Sequence, residues 1–169
     1  MSPTRKYQAD GGPGIEDILA FLNGAVAPRE DRLRFMRAQI VFWLLAAIDG
    51  HAKNFSVFLT PGGYKLTPLY DVMSASPYPQ LSPHKIKLAM AVGKNRHYRI
   101  MDIQSGHFYQ TGQAAGLGKQ DMDGIFSGLL ARIEAALAEV EALAAKAGAP
   151  EATVVPILEG VEKRASLIK

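Results

Sequence analysis

The chain has 169 residues, a length that suits a single domain able to build its own core. Nearly half its residues are apolar, and it contains no cysteine, which excludes disulfides, zinc–thiolate centres and thiol catalysis. The net charge of +3 is unevenly placed: residues 1–118 hold 13 Lys and Arg against 8 Asp and Glu, whereas 119–169 hold 6 against 8.

The chain opens with Met1-Ser2-Pro3-Thr4-Arg5-Lys6, and no apolar stretch of signal-peptide type follows. No apolar run approaches the ~18 residues of a membrane span. Residues 1–13 read as a loop. Asp10-Gly11-Gly12-Pro13 is turn chemistry, and Glu16 and Asp17 then mark a helix start. Ile15, Ile18, Leu19 and Leu22 recur at helical spacing, so 14–22 is a short helix ended by Asn23-Gly24. The glycines at 11, 12 and 14 fit neither established phosphate-loop pattern, and no strand precedes them.

Pro28 opens a second helix. Leu33, Met36, Ile40, Trp43, Leu44 and Ala47 form one apolar stripe, which predicts the buried spine of the domain. The helix is expected to stop at Asp49-Gly50, where glycine lets the backbone turn. Phe55 to Leu59 is rich in strand formers, Thr60-Pro61-Gly62-Gly63 is a turn, and Tyr64-Lys65-Leu66 returns. Residues 55–66 therefore read as a β-hairpin. Residues 72–84 are loop, 85–90 a short strand or extended segment, 95–103 the start of a helix, and 105–115 another. From Asp121, Met122, Phe126, Leu129, Ile133, Leu137, Val140 and Ala144 mark a long amphipathic helix to Lys146. Val154, Leu158, Val161 and Ala165 make the last one. The expected architecture is one mainly α domain over 1–169 with one small β-hairpin.

Chemistry concentrates at Asp49-Gly50-His51-Ala52-Lys53-Asn54 and at Tyr70-Asp71. A hairpin brings its two ends together, so Asn54 and Asp71 should be neighbours. A base plus an Asn and an Asp is the set a phosphoryl-transfer site needs, and Asp-x4-Asn is the catalytic-loop spacing of protein kinases. Two rivals are weaker. Asp49, His51 and Asp71 could ligate the metal of a hydrolase, but no paired-histidine motif supports this. A serine triad lacks GxSxG. Lys85, Lys87, Lys94, Arg96 and Arg99, with no acid between them, form a basic stretch that suits phosphates, nucleic acid or an acidic partner.

Three stretches carry a family resemblance: Asp49-Gly50-His51-Ala52-Lys53-Asn54-Phe55-Ser56, Leu66-Thr67-Pro68-Leu69-Tyr70-Asp71-Val72-Met73-Ser74 and Lys87-Leu88-Ala89-Met90. They resemble the C-terminal part of HipA-type toxins, the serine/threonine kinases of bacterial toxin–antitoxin modules. Lys6-Tyr7-Gln8-Ala9-Asp10-Gly11-Gly12-Pro13-Gly14 is similar to that family's entry into the same region. The resemblance implies a kinase C-lobe. It implies Asp49 as catalytic base, Asn54 and Asp71 as magnesium ligands, His51 and Lys53 as contacts to nucleotide phosphate, and Tyr70 as support for Asp71. ATP and Mg2+ would be the cofactors, a serine or threonine of a cytosolic protein the acceptor, and glutamyl-tRNA synthetase the family's target. A small HipB-like DNA-binding antitoxin would be the partner, operator DNA an indirect one, and the cytoplasm the compartment.

Two features depart from expectation. Unlike ordinary protein kinases, the chain has no His-Arg before Asp49 and no Phe-Gly after Asp71. Relative to the toxin family, the strand-rich N-terminal lobe with its phosphate-covering loop is not in this sequence. Negligible turnover by the chain alone is therefore expected. The other reading compatible with the same residues is a non-catalytic module that binds the antitoxin or the target as a decoy.

Overall fold

A computed structural model describes residues 6–82 and 84–168. The expected N-terminal loop lies outside the described residues over 1–5, as does Pro83 of the 72–84 loop. The chain runs α1 (Ile15–Phe21), α2 (Pro28–Leu45), β1 (Val57–Thr60), β2 (Gly63–Leu66), β3 (Lys87–Val92), β4 (His97–Arg99), α3 (Ser105–Ala114), α4 (Lys119–Lys146) and α5 (Glu151–Ala165). The expected mainly helical domain is observed, with one element added. Two antiparallel hairpins are present, β1–β2 and β3–β4.

Helix α2 is the spine. Pro28 takes the first helical position, where a missing N–H costs nothing, and Glu30 and Asp31 follow at the positive end of the helix dipole. Phe35, Met36, Ile40, Phe42, Trp43 and Leu44 are all buried, and Trp43 and Phe35 are among the largest fully enclosed side chains. The helix does not reach Asp49. It ends at Leu45, and Ala46 takes a left-handed conformation at φ 52°. The cause is tertiary. Helix-terminal carbonyls need partners, and here distant segments supply them. Arg164 Nε donates to Leu44 O at 2.7 Å, Ser74 Oγ to Leu45 O at 2.5 Å, and the Ala75 amide to Ala46 O at 2.9 Å. Arg164 is a cation at a helix C-terminus, a favourable place, and burial pulls its pKa down to about 10. Gly50 also has a different job from the one expected. A Cβ there would collide with the Phe42 ring, so glycine permits close approach and not a turn.

The first hairpin pairs Val57 with Leu66 and Thr60 with Gly63. Its return strand is clamped to α2. The fully buried Asp31 accepts the Leu66 amide at 2.9 Å, Arg34 donates to Leu66 O at 3.3 Å, and Arg34 pairs with Asp31 at 3.5 Å. One strand residue is thereby held at both its backbone groups from one helix turn.

The second hairpin corrects the expected helix at 95–103. Gly93 and Arg96 adopt positive φ (77° and 54°), which turns the chain back, and 97–99 pairs with β3. A turn with two left-handed residues cannot start an α-helix. Ile100–Asp102 follows as a single 3-10 turn. β3 is buried from Leu88 to Val92, so it reads as a continuous apolar run and not an alternating strand.

Helix α4 is as long as its pattern predicted; Met122, Ile125 and Phe126 near its start are buried, and Leu129 and Ile133 pack half-buried against the core. Further along, Leu130, Val140 and Leu143 are exposed. Helix α5 closes the fold on α2 with Val161 buried, and carries Pro156 in its interior.

Two expectations follow from this packing. Asp31→Ala leaves the buried Leu66 amide without an acceptor and Arg34 without its counter-charge, and lowers stability by about 2 kcal/mol. Urea unfolding measures this; an unchanged midpoint would show that the clamp is dispensable. The second concerns His97 and His107, whose rings stack at 4.0 Å and 8°. Burial, and then the neighbouring His97, holds His107 below the ordinary histidine range, and its Nδ1 accepts the Gln104 amide. A depressed folded pKa gives stability that is present above the unfolded value of about 6.5 and lost as pH falls through the folded one. The urea midpoint should therefore drop between about pH 7 and 5, and drop less in His107→Gln.

Candidate functional site

Release of the chain from α2 at Ala46 sends residues 46–56 through two tight turns. The His51 amide donates to Asp49 O at 2.8 Å and the Asn54 amide to His51 O at 2.9 Å. Ala52–Asn54 forms a 3-10 turn. These turns bury His51 and Asn54 and leave Lys53 exposed.

Asp49 is held through one oxygen. Its Oδ1 accepts Tyr7 Oη at 2.5 Å, and Lys6 Nζ and His51 Nε2 approach the same atom at 3.8 and 3.5 Å. Tyr7 also meets the His51 ring edge-on, with centroids 5.2 Å apart. The segment that brings Tyr7 is pinned to β3, where Gln8 Oε1 accepts the Ala91 amide at 2.7 Å. A Cβ at Gly14 would strike the Gln8 side chain, so Gly14 makes room for this anchor.

Asn54 and Asp71 form the second group. Asn54 Nδ2 donates to Asp71 Oδ2 at 2.8 Å, as the hairpin geometry required. An amide facing a carboxylate must present its nitrogen, which leaves Asn54 Oδ1 buried without a protein partner. Asp71 has φ 55°, a left-handed conformation uncommon outside glycine and one that Asp tolerates better than most. Tyr70 Oη donates to Lys53 O at 3.2 Å and lies 2.7 Å from Ser56 Oγ, so the residue before Asp71 is tied to the loop that carries Asn54. With the carboxamide turned over, Asn54 Oδ1 and the Asp71 carboxylate would be two hard oxygen donors of the kind Mg2+ takes. His51 Nδ1 is likewise buried and without a protein partner.

The expected residues thus fall into two neighbouring sets, Asp49 with His51, and Asn54 with Asp71 and Tyr70. Lys53 joins neither through its side chain. Among the described residues no three His, Asp or Glu side chains gather as a metal cluster, so Asp49, His51 and Asp71 are not a hydrolase ligand set. Lys6 and Tyr7 lie in the stretch similar to the family's entry into this region, but neither motif nor spacing gives them a site role. Two depressions flank the loop. One, of about 400 Å3, is apolar and includes Ile18, Phe21, Ala52, Phe55 and Val57. The other, of about 590 Å3, has Tyr7 and Asp49 in its wall.

Residues 1–137 match the family described as the HipA-like C-terminal domain. The chain belongs to that family. It is 35% identical over 118 residues to the Sinorhizobium fredii protein Y4mE, named as a candidate kinase, covering 69% of this chain and 27% of that one. It is 28% identical over 157 residues to the serine/threonine-protein kinase toxin HipA of Shewanella oneidensis, covering 83% of this chain and 34% of that protein. In three dimensions it superposes on a chain of the Shewanella oneidensis toxin–antitoxin complex of HipA, HipB and operator DNA. The TM-score is 0.82 at 20% identity, with 99% of this chain and 42% of the other covered. The fold is therefore that of the C-terminal region of a HipA-type protein. The chain spans about a quarter to two-fifths of the length of these relatives. Among the described residues no helix is long and apolar enough to cross a membrane.

The Tyr7–Asp49 bond has a direct readout. The acceptor carboxylate, then burial, raises the Tyr7 phenol above its usual range. In Asp49→Asn the Tyr7 ring carbon should titrate closer to about 10 by 13C NMR. An unchanged titration would mean that the phenol does not rest on this carboxylate in solution.

Proposed function

We propose that this chain carries the base and the metal ligands of a serine/threonine phosphotransferase site that uses Mg-ATP. The observation that carries the reading is the Asn54–Asp71 pair with its unsatisfied Asn54 oxygen, five residues beyond a half-exposed Asp49. Asn54 and Asp71 would hold Mg2+, which when bound neutralises charge on the transferring phosphate. Asp49 would accept the proton of the acceptor hydroxyl. Its place at a loop, open on one side and braced by Tyr7 on the other, suits that task. His51, with a buried ring nitrogen to spare, and Lys53, whose exposed ammonium is free to swing, would contact phosphate oxygens. Tyr70 supports Asp71 by locking the two ends of the hairpin. The apolar depression along Ala52 and Phe55 is the surface on which a nucleobase would lie.

The family relationship supports a kinase toxin as the whole protein, with a cytosolic protein as target. Glutamyl-tRNA synthetase is the target the family suggests. The Shewanella neighbour is a complex with HipB and operator DNA, which supports a HipB-like antitoxin as partner and DNA as an indirect one. A cytoplasmic location belongs to the same proposal.

Calorimetric titration of Mg-ATP into the chain tests the reading. Binding is expected and should weaken about tenfold or more in Asp71→Ala, the loss of a charged metal ligand. Equal heats from both proteins, or none from either, would move the weight to a non-catalytic module that acts through its protein partner.

A further inference from the structure

Helix α4 carries three large apolar side chains in solvent, Leu130, Val140 and Leu143, which are 42, 48 and 57% exposed. Their placing follows a rule that runs along the helix. Phe126, Leu129, Ile133, Ala136, Val140 and Leu143 recur at alternating intervals of three and four residues. An unbroken repeat of this kind is the spacing by which two helices pack along one seam. The chain's own core takes the early part, with Phe126 buried and Leu129 and Ile133 half-buried, and the later part is left open.

Beside the early part the surface is hollow. A depression of about 420 Å3 is lined by Gly128, Leu129, Arg132, Ile133 and Ala136 of α4, with Arg37 of α2 on its other side. Leu129, Arg132, Ile133 and Ala136 have the spacing i, i+3, i+4 and i+7. Four residues so spaced outline the hole that receives one side chain from a facing helix.

Charge selects the occupant and its direction. Arg132 and Glu139 each stand one position before a seam residue, both exposed, and among the described residues neither takes part in an ion pair. They hold the same place in the repeat. In a parallel pair of these helices Arg132 would face Leu137 of the second copy, and Glu139 would face Ala144. In an antiparallel pair equivalent flanking positions face one another, so Arg132 of each copy meets Glu139 of the other, twice by symmetry. The same alignment lays Val140 on Leu129 in the depression, sets Ile133 against Ala136, and pairs Leu130 with Leu137. A nucleic-acid backbone has no complement here, because residues 134–145 carry Glu134, Glu139 and Glu141 and no cation.

We propose that α4 is a self-association helix. Two copies of the chain pair along antiparallel α4 seams, with Val140 of each seated in the Leu129–Ala136 depression of the other and Arg132 paired with Glu139 across a two-fold axis. The seam is separate from the central loop, and the proposal stands apart from the phosphotransfer reading.

Sedimentation equilibrium of the chain from about 1 to 200 μM, the range in which small interfaces dissociate, tests it. A monomer–dimer equilibrium that stops at two copies is expected. Val140→Asp, a change at an exposed position, should abolish the dimer and leave the far-UV circular dichroism and the urea midpoint unchanged. Arg132→Glu and Glu139→Arg should each weaken association about tenfold, because each sets like charges together twice. Both substitutions in one chain rebuild the pairs with their signs exchanged, and should bring the constant back to within about twofold of the unsubstituted chain. The two single variants, mixed, should pair with each other more tightly than either does with itself. Glu141→Arg, exposed and off the seam, should leave the constant within about twofold. A chain that stays monomeric throughout, a dimer indifferent to Val140→Asp, or a charge exchange that fails to restore pairing would overturn the proposal. So would species that keep growing beyond two copies.

Discussion

The structure hinges on how one helix is made to stop. Nothing in the local sequence of α2 forbids it from running on to Asp49, and its apolar stripe continues to Ala47. It stops because its last carbonyls are claimed from elsewhere, by Arg164 of α5 and by Ser74 and Ala75 of the loop after Asp71. Buried backbone groups must be paired, and once these partners are in place another helical turn has nothing to gain. The eleven positions that follow are thereby freed from helical geometry, and they include each polar residue of the central loop. The same bonds tie down the far side of Asp71, since Ser74 and Ala75 lie only a few residues beyond it.

Asp71 is consequently held from three directions. Asn54 bonds its carboxylate, Tyr70 ties the preceding residue to the loop, and the α2 terminus fixes the following segment. Upstream, the Asp31–Arg34 clamp on Leu66 sets where the returning strand leaves the hairpin. A left-handed backbone at a non-glycine residue carries a small strain, and it persists where the surroundings over-determine it. Here Tyr70 on one side and Ser74 on the other are independently anchored. Rigidity of this kind suits the proposed role of Asp71 as a metal ligand, because a displaced ligand costs more than a missing surface contact.

Much of this was legible from the residues. The stripe on α2 and the turn chemistry at 60–63 announced the spine and the first hairpin, and the hairpin alone implied that Asn54 and Asp71 would meet. Three things were not legible, each for a physical reason. The end of α2 depends on Arg164, more than a hundred residues away, and no local pattern encodes that. β4 is three residues long and follows a turn built on a left-handed arginine, so its periodicity is too short to read. Tyr7 reaches Asp49 only because Gln8 is anchored on β3, a pairing of side chain to strand edge that leaves no periodic trace. The apolar stripe of α4 was legible as well: it runs from the buried Met122 and Phe126 to the half-buried Leu129, Ile133 and Leu137, and Val140 on it is exposed.

The role of Arg164 separates two boundaries that are easily confused. The region recognisable as the family domain ends at residue 137, in the middle of α4. The cooperative unit does not end there. A chain cut at that point would lose α5, leave the Leu44 carbonyl uncapped and uncover the α2 face on which Val161 packs. The residues after 137 thus act as internal scaffolding: they lie outside the stretch that matches the family, yet α5 is bonded to the helix terminus on which the central loop depends.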